Sequence, residues 1–586
     1  MNEHPIKFFE KNKIEPRQQQ IDVLNQVYDN WKAKKYHVCS CPTGVGKTYI
    51  ACAIADSFKK SYILTSTLQL QDQYQKSWRE IVDLEGRSNY QCNLNDKFTV
   101  DSAPCMANQA LFRDCKSKHR CAYYNQKELA LAARSLVTNP SYMLYSTHCG
   151  FAKEDNEWTQ RDVLIIDEAH TLEDRLVSFG QVDIEPERYE KDFGVEIGSI
   201  QFAHGRSHEA VIENYQLISL IMNELMEKAE ELKEELEGEF KSSSLVGIPV
   251  HEWAKGFSSK VADRIRKMGA RANALDKSIQ PIKIFFNTHD ESNLQERWLI
   301  YRLDDRNVLK LAPKKGGFLF DTYFGPLAEK YVFLSATMGT KSAFIKELDI
   351  KDEDCLFVQT DSPFPAILSP IIAHYGSDAI DLTYKSKAKN IVNLPELINR
   401  YLDRYPDSRG IIHASSYDIA KYIYENMGRK FLRNRSRLLY RDMEELSGVK
   451  FPRKYTNTEL LEIHSKKANS VLLSPSMTEG IDLVDDLSMF QLIVKMPWIS
   501  NDDLRIREKI KADPEWYPNN MWVTMMQASG RSTRHSSDYS ITHVLDSNFS
   551  ANYSDSIPNL PGWFKERVYL SEDKWIIELT KLLNAT

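Results

Sequence analysis

The segment YHVCSCPTGVGKTYIACAIADSF, residues 36–58, constrains the possible folds of this chain more than any other. A short β-rich run is followed by a glycine turn and then by a helix-forming run. Gly44 and Gly46 allow the backbone to approach a phosphate closely, and the N-terminus of the following helix favours an anion. We predict that Lys47 reaches the β- and γ-phosphates of a nucleotide and that Thr48 binds Mg²⁺. The predicted phosphate loop consists of Thr43, Gly44, Val45, Gly46, Lys47 and Thr48.

A second segment supplies acidic side chains for the same site. RDVLIIDEAHTLED, residues 161–174, has an apolar, strand-like run that ends in Asp167 and Glu168. Acidic residues at the carboxyl end of such a strand point into the ligand crevice of an open α/β sheet. We expect Asp167 to hold Mg²⁺ through water and Glu168 to orient or deprotonate the attacking water. An exposed acidic turn is the alternative, but the phosphate loop upstream favours hydrolysis of a nucleoside triphosphate.

The C-terminal half predicts a second α/β domain. Three strand-like segments, RGIIHASSY, NSVLLSPSMTEGID and FQLIVKMPW, precede the array formed by Gln527, Gly530, Arg531 and Arg534. On a continuous helix, Gln527, Arg531 and Arg534 share one face by their i, i+4, i+7 spacing. Arginines placed in this way stabilise the charge on a transferring phosphoryl group. A solvated basic helix face is the alternative. Two α/β domains with a nucleotide between them would form a motor that opens and closes.

Length and charge further limit the domain organisation and the binding partners that the chain can have. A chain of 586 residues is too long for one hydrophobic core, so several domains are expected. Its net charge of −6 means that contact with a nucleic acid must come from local grooves. The chain has no apolar run long enough to span a membrane and no secretory signal at its N-terminus. We therefore expect a cytoplasmic protein with reduced cysteines. The economy of its length suggests a bacterial or viral origin.

Further motifs give the chain a family resemblance. EPRQQQIDV resembles a nucleotide-sensing entry motif, YILTSTLQLQDQY a motif Ia, LSATM a third motif, GIIHASSY a fourth and TEGIDL a fifth. Together with the phosphate loop, the DEAH box and QASGRSTRHSSDY, these motifs occur in the order of the XPD/DinG family of superfamily 2 DNA helicases. The chain resembles that family over nearly its whole length.

The resemblance implies roles for individual residues. It implies that Lys47, Asp167, Glu168, Gln527, Arg531 and Arg534 are catalytic, and that Ser335, Thr337 and His170 couple the nucleotide site to the nucleic acid. Beyond the phosphate loop, it adds four nucleotide-binding residues, which are Arg17, Gln20, Gly480 and Asp482. The implied cofactors of the motor are ATP and Mg²⁺.

Four cysteines lie together in the segment that in this family forms an iron–sulfur domain. Cys92, Cys105, Cys115 and Cys121 are separated by 12, 9 and 5 residues. Four thiolates can hold a [4Fe–4S] cluster, and they can also hold zinc. The spacing lacks the C-x-x-C knuckles of zinc ribbons, and unligated core cysteines are a third possibility. The remaining five cysteines are scattered, and we interpret them as structural.

A long insertion separates the DEAH box from LSATM. Apolar residues recur there at alternating spacings of four and three, which predicts a long helix that packs on a partner. The seam is Val211, Tyr215, Ile218, Met222, Leu225, Ala229, Leu232 and Leu236. The segment 251–278 is the predicted partner, through Trp253, Phe257, Val261, Ile265, Met268 and Ala272. In the family, the equivalent insertion is the helical Arch domain. Its basic residues Lys260, Arg264, Lys267 and Arg271 either touch phosphates or form a solvated face.

The expected fold is therefore α/β, with two RecA-like parallel-sheet motor domains and with a small Fe–S domain and a helical Arch domain inserted in the first. We expect motor domain 1 at residues 1–88, 126–182 and 301–350, the Fe–S domain at 89–125, the Arch domain at 183–300 and motor domain 2 at 351–586.

The function that the resemblance implies is ATP-dependent 5′→3′ translocation on single-stranded DNA, with unwinding of duplex DNA in replication, repair or recombination. We expect a monomeric motor that binds single-stranded and forked duplex DNA, that can work with single-strand-binding or replication and repair proteins, and that binds no membrane. The alternatives are an RNA helicase, a translocase that does not separate strands, and a recruitment scaffold with a silent ATPase. Nuclease activity is not expected, because the segment before the phosphate loop is too short for the nuclease domain of some relatives.

Overall fold

A computed structural model of the protein describes residues 1, 3–93, 98–103, 121–148, 158–242, 259–289, 292–303, 306–443, 454–474, 483, 485–530, 532 and 538–585. The predictions made for Cys105, Cys115, Gly480, Asp482, Arg531 and Arg534 concern residues outside these ranges.

The strands, in chain order, are β1 (Tyr36–Ser40), β2 (Ser61–Leu64), β3 (Ile81–Asp83), β4 (Ser135–Thr138), β5 (Arg161–Asp167), β6 (Val182–Ile184), β7 (Trp298–Arg302), β8 (Leu309–Pro313), β9 (Ala328–Ser335), β10 (Cys355–Gln359), β11 (Ile371–Ala373), β12 (Gly410–His413), β13 (Leu438–Leu439), β14 (Val471–Ser474), β15 (Phe490–Ile493), β16 (Ile541–Val544) and β17 (Val568–Tyr569).

The α-helices are α1 (Lys7–Asn12), α2 (Gln18–Asn30), α3 (Lys47–Asp56), α4 (Leu68–Ser77), α5 (Ala122–Ala132), α6 (Pro140–His148), α7 (Leu172–Gly180), α8 (Pro186–Phe193), α9 (His208–Ser242), α10 (Ser259–Asn287), α11 (Leu294–Arg297), α12 (Gly317–Tyr323), α13 (Lys341–Glu347), α14 (Lys387–Asn390), α15 (Leu394–Arg404), α16 (Tyr417–Asn426), α17 (Leu432–Arg435), α18 (Asn457–Lys466), α19 (Leu504–Ala512), α20 (Trp516–Ser529), α21 (Phe549–Ser556), α22 (Gly562–Lys565) and α23 (Glu572–Ala585).

Two seven-stranded parallel sheets confirm the predicted pair of motor domains. The first has the order β10-β1-β9-β5-β2-β4-β3, and the second has the order β13-β14-β12-β15-β16-β11-β17. Strands β1, β2, β4, β12, β14, β15 and β16 are buried along their whole length. Burial of this kind is expected when helices cover both faces of a parallel sheet. A separate antiparallel sheet, β6-β8-β7, joins the first motor domain to the inserted helices.

One expected domain boundary shifts. The strand β10 lies beyond the boundary that we expected at residue 350, yet it pairs with β1 in parallel, with Tyr36 opposite Cys355. The first motor sheet therefore extends to Gln359, and the crossing between the motor domains follows that residue.

The inserted helices confirm the predicted heptad seam. Every seam residue of α9 is buried except Tyr215, which is partly buried. The partner helix α10 runs further than the predicted segment and passes through Pro281 to Asn287. Its buried residues continue the same stripe, at Leu275, Ile279, Ile282 and Phe285. These side chains belong to one continuous apolar cluster with Ile166 and Phe333 of the first motor sheet.

Four charged side chains join the motor domains, and we call them the interdomain charge cluster: Glu173, Arg505 and Lys509 are buried, and Glu347 is partly buried. Glu173 of α7 accepts two hydrogen bonds from the Arg505 guanidinium, at 2.8 and 2.9 Å, and lies 3.1 Å from Lys509 Nζ. Lys509 also donates to Glu347 at 2.9 Å. The ring of Trp516 lies under the Lys509 ammonium, 4.2 Å away, and its indole N–H donates to Glu347 at 2.6 Å.

The opposite charges in this cluster stabilise one another's ionised forms. Burial opposes ionisation of Glu173, but Lys509 and Arg505 outweigh that effect and hold the pKa of Glu173 below its ordinary value. Helix α7, which carries Glu173, starts directly after the DEAH box, and α20, which begins at Trp516, also carries Gln527. The cluster and the tryptophan bonded to it therefore connect the two halves of the predicted nucleotide site.

Within the described residues, no helix is both long and apolar enough to cross a membrane.

The cluster gives a first prediction. Glu173→Gln should lower the free energy of unfolding by about 3 kcal/mol, because it leaves two buried cations with too little compensating charge. Chemical denaturation measures this difference. The difference should be complete above the ordinary glutamate pKa of 4.5 and should shrink as the pH falls through the lower pKa of the folded state.

The matched control is Glu396→Gln, because Glu396 forms an exposed pair with Lys430 at 3.5 Å and should contribute little. Equal stability of the Glu173→Gln and wild-type proteins would contradict a stabilising role for the cluster.

Candidate active site

The phosphate loop connects β1 to α3, as the sequence predicts. Gly44 and Gly46 have φ angles of 87° and 89°, in the left-handed region that favours glycine. A Cβ atom on Gly44 would lie 1.9 Å from the ring of Phe364, which follows the crossing between the motor domains. Glycine is therefore needed at this position both for the turn and for the close approach of Phe364.

The predicted entry motif lies against this loop. Gln20, on the first turn of α2, is buried, and its amide donates to the carbonyl oxygen of Gly46 at 3.3 Å. The same side chain accepts a hydrogen bond from the backbone N–H of Arg17 at 2.9 Å. The Arg17 side chain is exposed. The entry motif thus supports the phosphate loop through the hydrogen bond from Gln20.

The DEAH box lies at the carboxyl end of β5. Lys47 Nζ is 3.9 Å from the carboxylate of Glu168, whose φ of 51° is unusual for a residue other than glycine. Strained backbone of this kind occurs at functional sites. Asp167 is buried and accepts a hydrogen bond from the Tyr74 hydroxyl at 2.8 Å. Burial also raises the pKa of Tyr74, so this hydroxyl stays a donor.

The electrostatics of Asp167 suit a divalent cation. Burial and the neighbouring charge of Glu168 raise the pKa of Asp167 to about 6, against the opposing effect of Lys47. A metal ion would stabilise the ionised carboxylate that burial disfavours. Thr48, at the start of α3, is also buried and offers a hydroxyl oxygen. An oxygen-only donor set of this kind is what Mg²⁺ prefers.

A chain of hydrogen bonds leads from the DEAH box to the second motor domain, and we call it the polar relay. His170 Nδ1 lies 3.4 Å from the Glu168 carboxylate and 2.7 Å from the Ser335 hydroxyl. The backbone N–H of Thr337 donates to that hydroxyl at 3.2 Å. The Gln527 amide of the second motor domain donates to the Thr337 hydroxyl at 3.1 Å. The structure therefore brings together the three predicted coupling residues and two predicted catalytic residues, Glu168 and Gln527.

The helix that carries Gln527 ends shortly after it, at Ser529. The placement of Arg531 and Arg534, which lie outside the described residues, stays a prediction. The carbonyl oxygen of Ser529, which a longer helix would use internally, instead accepts hydrogen bonds from Gln491 at 3.3 Å and Arg567 at 2.9 Å. The chain turns at Gly530, where an added Cβ would lie 3.9 Å from the Thr43 hydroxyl.

The structure describes two of the four clustered cysteines. Cys92 is tied by its backbone N–H to the carbonyl oxygen of Phe98 at 2.9 Å, and Cys121 immediately precedes α5. Both are partly buried and neither forms a disulfide. Among the described residues, no group of three or more metal-ligating side chains occurs. Cys39, Cys41, Cys52 and Cys355 are buried in the core, as we interpreted them.

Two of the cations of α10 that we considered as phosphate contacts are exposed and have protein partners. Arg264 pairs with Glu239 at 2.7 Å, and Arg271 donates to the carbonyl oxygen of Asp192 at 3.1 Å. Lys267 is exposed.

The geometry suits hydrolysis of a nucleoside triphosphate. A glycine loop, a lysine, a buried carboxylate and a second acidic side chain converge, and a contact from another domain reaches the same place. Sequence reasoning missed Tyr74, Phe364 and the interdomain charge cluster. Tyr74 falls inside the motif Ia segment, but only its position on one face of α4 shows that it points at Asp167.

Comparison with known proteins agrees with this geometry. The model of the helicase C-terminal domain family matches residues 398–567, and that of the type III restriction enzyme res subunit family matches residues 13–196. A probable ATP-dependent helicase of Methanocaldococcus jannaschii is 22% identical over 94% of this chain and 94% of its own. The ATP-dependent DNA helicase YoaA of Haemophilus influenzae is 22% identical over 93% of each chain.

Solved structures share the fold. An XPD helicase structure matches with a TM-score of 0.55 at 15% identity, over 94% of this chain and 98% of that one. Xpd4 of S. tokodaii matches with a TM-score of 0.52 at 14% identity, over 94% of this chain and all (100%) of that one.

The polar relay gives a second prediction. Thr337→Val and Gln527→Leu should each slow nucleoside triphosphate hydrolysis by about fivefold, because each removes the same hydrogen bond between the motor domains. Because the two residues act through one bond, the double variant should be no slower than the slower single variant. Steady-state hydrolysis rates measure both effects.

The control for these variants is Thr322→Val, which removes an exposed threonine hydroxyl bonded only within its own helix turn. Fully multiplicative rate losses in the double variant would contradict a shared interaction.

Proposed function

The chain is a superfamily 2 helicase of the XPD/DinG-like family, and from this premise we propose that it hydrolyses ATP to move along single-stranded DNA and to separate duplex DNA. The observation that carries the proposal is the polar relay, because it links the catalytic Glu168 to a second motor domain through buried side chains. An enzyme that only hydrolysed ATP would have no need for such a link.

In the proposed cycle, ATP binds between the motor domains. Lys47 contacts the β- and γ-phosphates, while Thr48 and Asp167 would hold Mg²⁺, which neutralises phosphate charge. Glu168 orients the attacking water and takes its proton. Gln20 fixes the phosphate loop, and Arg17 of the same entry motif is a proposed nucleotide contact. The remaining nucleotide contacts in the proposal are Gly480, Asp482, Arg531 and Arg534.

Movement would come from closure and release of the cleft. When nucleotide draws the second motor domain toward the phosphate loop, the Gln527–Thr337 contact transmits the displacement to Ser335 and His170. After hydrolysis the cleft opens, and the strand advances over both domains. Contacts to the DNA backbone supply affinity without sequence preference.

Family membership supports DNA as the substrate and 5′→3′ as the direction. Two matched proteins are described as ATP-dependent DNA helicases, YoaA of Haemophilus influenzae and CHL1 of Debaryomyces hansenii. The CHL1 match is 25% identical and spans 34% of this chain and 27% of that protein. The processes served would be replication, repair or recombination.

We further propose that Cys92, Cys105, Cys115 and Cys121 hold a [4Fe–4S] cluster that stabilises the inserted segment. The thiols of Cys92 and Cys121 form no disulfide and are only partly buried, which fits thiolate ligands. Zinc is the competing occupant.

The decisive experiment uses duplexes that carry a single-stranded tail at either end. Anaerobically purified protein should separate the duplex with a 5′ tail in the presence of ATP, and Lys47→Ala should abolish both hydrolysis and separation. DNA-stimulated hydrolysis without separation would reduce the function to translocation. Stimulation by RNA alone would indicate an RNA helicase, and no hydrolysis at all would indicate a scaffold.

The metal prediction is tested by elemental analysis of anaerobically purified protein. We expect about four irons and four acid-labile sulfides per chain, and their loss in Cys105→Ser. Cys355→Ala, which alters a buried core cysteine, is the control and should keep the iron. Zinc bound in place of iron would contradict the cluster, as would full iron content in Cys105→Ser.

A further inference from the structure

Tyr74 has no assigned role and reaches the carboxylate on which the metal site depends. Its hydroxyl donates to Asp167 Oδ2 at 2.8 Å. Relative exposure is 0% for Tyr74 and 4% for Asp167, so water cannot replace this bond without local opening.

The bond determines which lone pairs of Asp167 are left for a ligand. Oδ2 accepts from Tyr74, and Oδ1 accepts from the backbone N–H of Glu168 at 2.9 Å. Each carboxylate oxygen has two acceptor positions. Two donors on different oxygens therefore fix the carboxylate plane, and each oxygen keeps one acceptor position for a ligand. Without the tyrosine, rotation about χ2 would be restrained from one side only, because that torsion is intrinsically broad.

The phenol ring is rigidly mounted. Helix α4 starts at a capped residue, because the Thr67 hydroxyl accepts the backbone N–H of Leu70 at 3.3 Å. The ring of Tyr74 lies in one buried apolar cluster with Ile50, Cys52 and Ile165, from the helix and strand that flank the phosphate loop and the DEAH box. A side chain enclosed in this way holds its hydroxyl at one place.

We propose that Tyr74 is a positioning residue for the Mg²⁺–nucleotide complex and acts by fixing the carboxylate of Asp167. The inference rests on the proposed function for the nature of the nucleotide. Hydrogen-bonded partners of a metal ligand commonly contribute tenfold or more to metal affinity. The role differs from that of Lys47, since Tyr74 is fully buried and would act only through Asp167.

The test is Tyr74→Phe, which removes only the hydroxyl. Binding of a fluorescent ADP analogue is titrated with Mg²⁺ and again with excess chelator. Tyr74→Phe should weaken the Mg²⁺-dependent affinity by about tenfold and leave the affinity in chelator unchanged. In ATP hydrolysis, the Mg²⁺ concentration for half-maximal rate should rise, while the KM for ATP at saturating Mg²⁺ stays the same.

The matched control is Tyr62→Phe. Tyr62 is equally buried in the same motor domain, and its hydroxyl donates to the carbonyl oxygen of Thr159 at 2.8 Å. Tyr62→Phe should match the wild-type response to Mg²⁺, even if thermal unfolding shows both variants to be less stable.

The outcomes separate this inference from the proposed function. A normal wild-type response with an unchanged response in Tyr74→Phe would overturn the role of Tyr74 alone. Equal losses with Mg²⁺ and with chelator would also overturn it, because they would indicate general damage to the pocket. A wild-type protein with no affinity for ADP under any condition would overturn both proposals.

Discussion

The parallel register of β1, β9 and β5 is the constraint on which the nucleotide site depends. Ser40 lies opposite Ser335, and Asp167 lies opposite Leu334, so three motifs that are far apart in the chain end at one edge of one sheet. A slip of one residue would turn the side chains of a strand to the other face. Alternate residues of these strands pack into two different buried clusters, so a slip would force both clusters to repack. The hydrophobic core thus sets the positions of the polar groups that perform the chemistry.

Two kinds of contact join the motor domains, and they suit different tasks. The interdomain charge cluster has bidentate geometry and a cation over an aromatic ring, so its loss on opening would leave buried charges uncompensated. In the polar relay, Ser335, Thr337 and Gln527 are joined by single hydrogen bonds between neutral groups, whose net contribution is about 1 kcal/mol each. The cluster therefore opposes separation of the domains more strongly than the relay does.

Much of the architecture follows from local sequence, and the exceptions have long-range causes. The phosphate loop and the strand before Asp167 follow from neighbouring residues, and the heptad seam follows from its own periodicity. The end of α20 at Ser529 does not, because Gln491 and Arg567 take the carbonyl oxygen from distant positions. Helix α10 continues through Pro281 because buried residues on both sides of the proline pack on α9. Likewise, no local pattern reveals that a tyrosine 93 residues before the DEAH aspartate bonds to it.

The continuous cluster that contains Ile279, Phe285, Ile166 and Phe333 makes the base of the inserted helices part of the core of the first motor domain. The inserted helices do not bury a separate core there, so their base has no independent folding equilibrium and gains or loses structure together with the motor sheet. The inserted helices and the motor sheet therefore form one cooperative unit at this junction. A smaller side chain in this shared cluster would leave a cavity and lower the stability of the first motor domain.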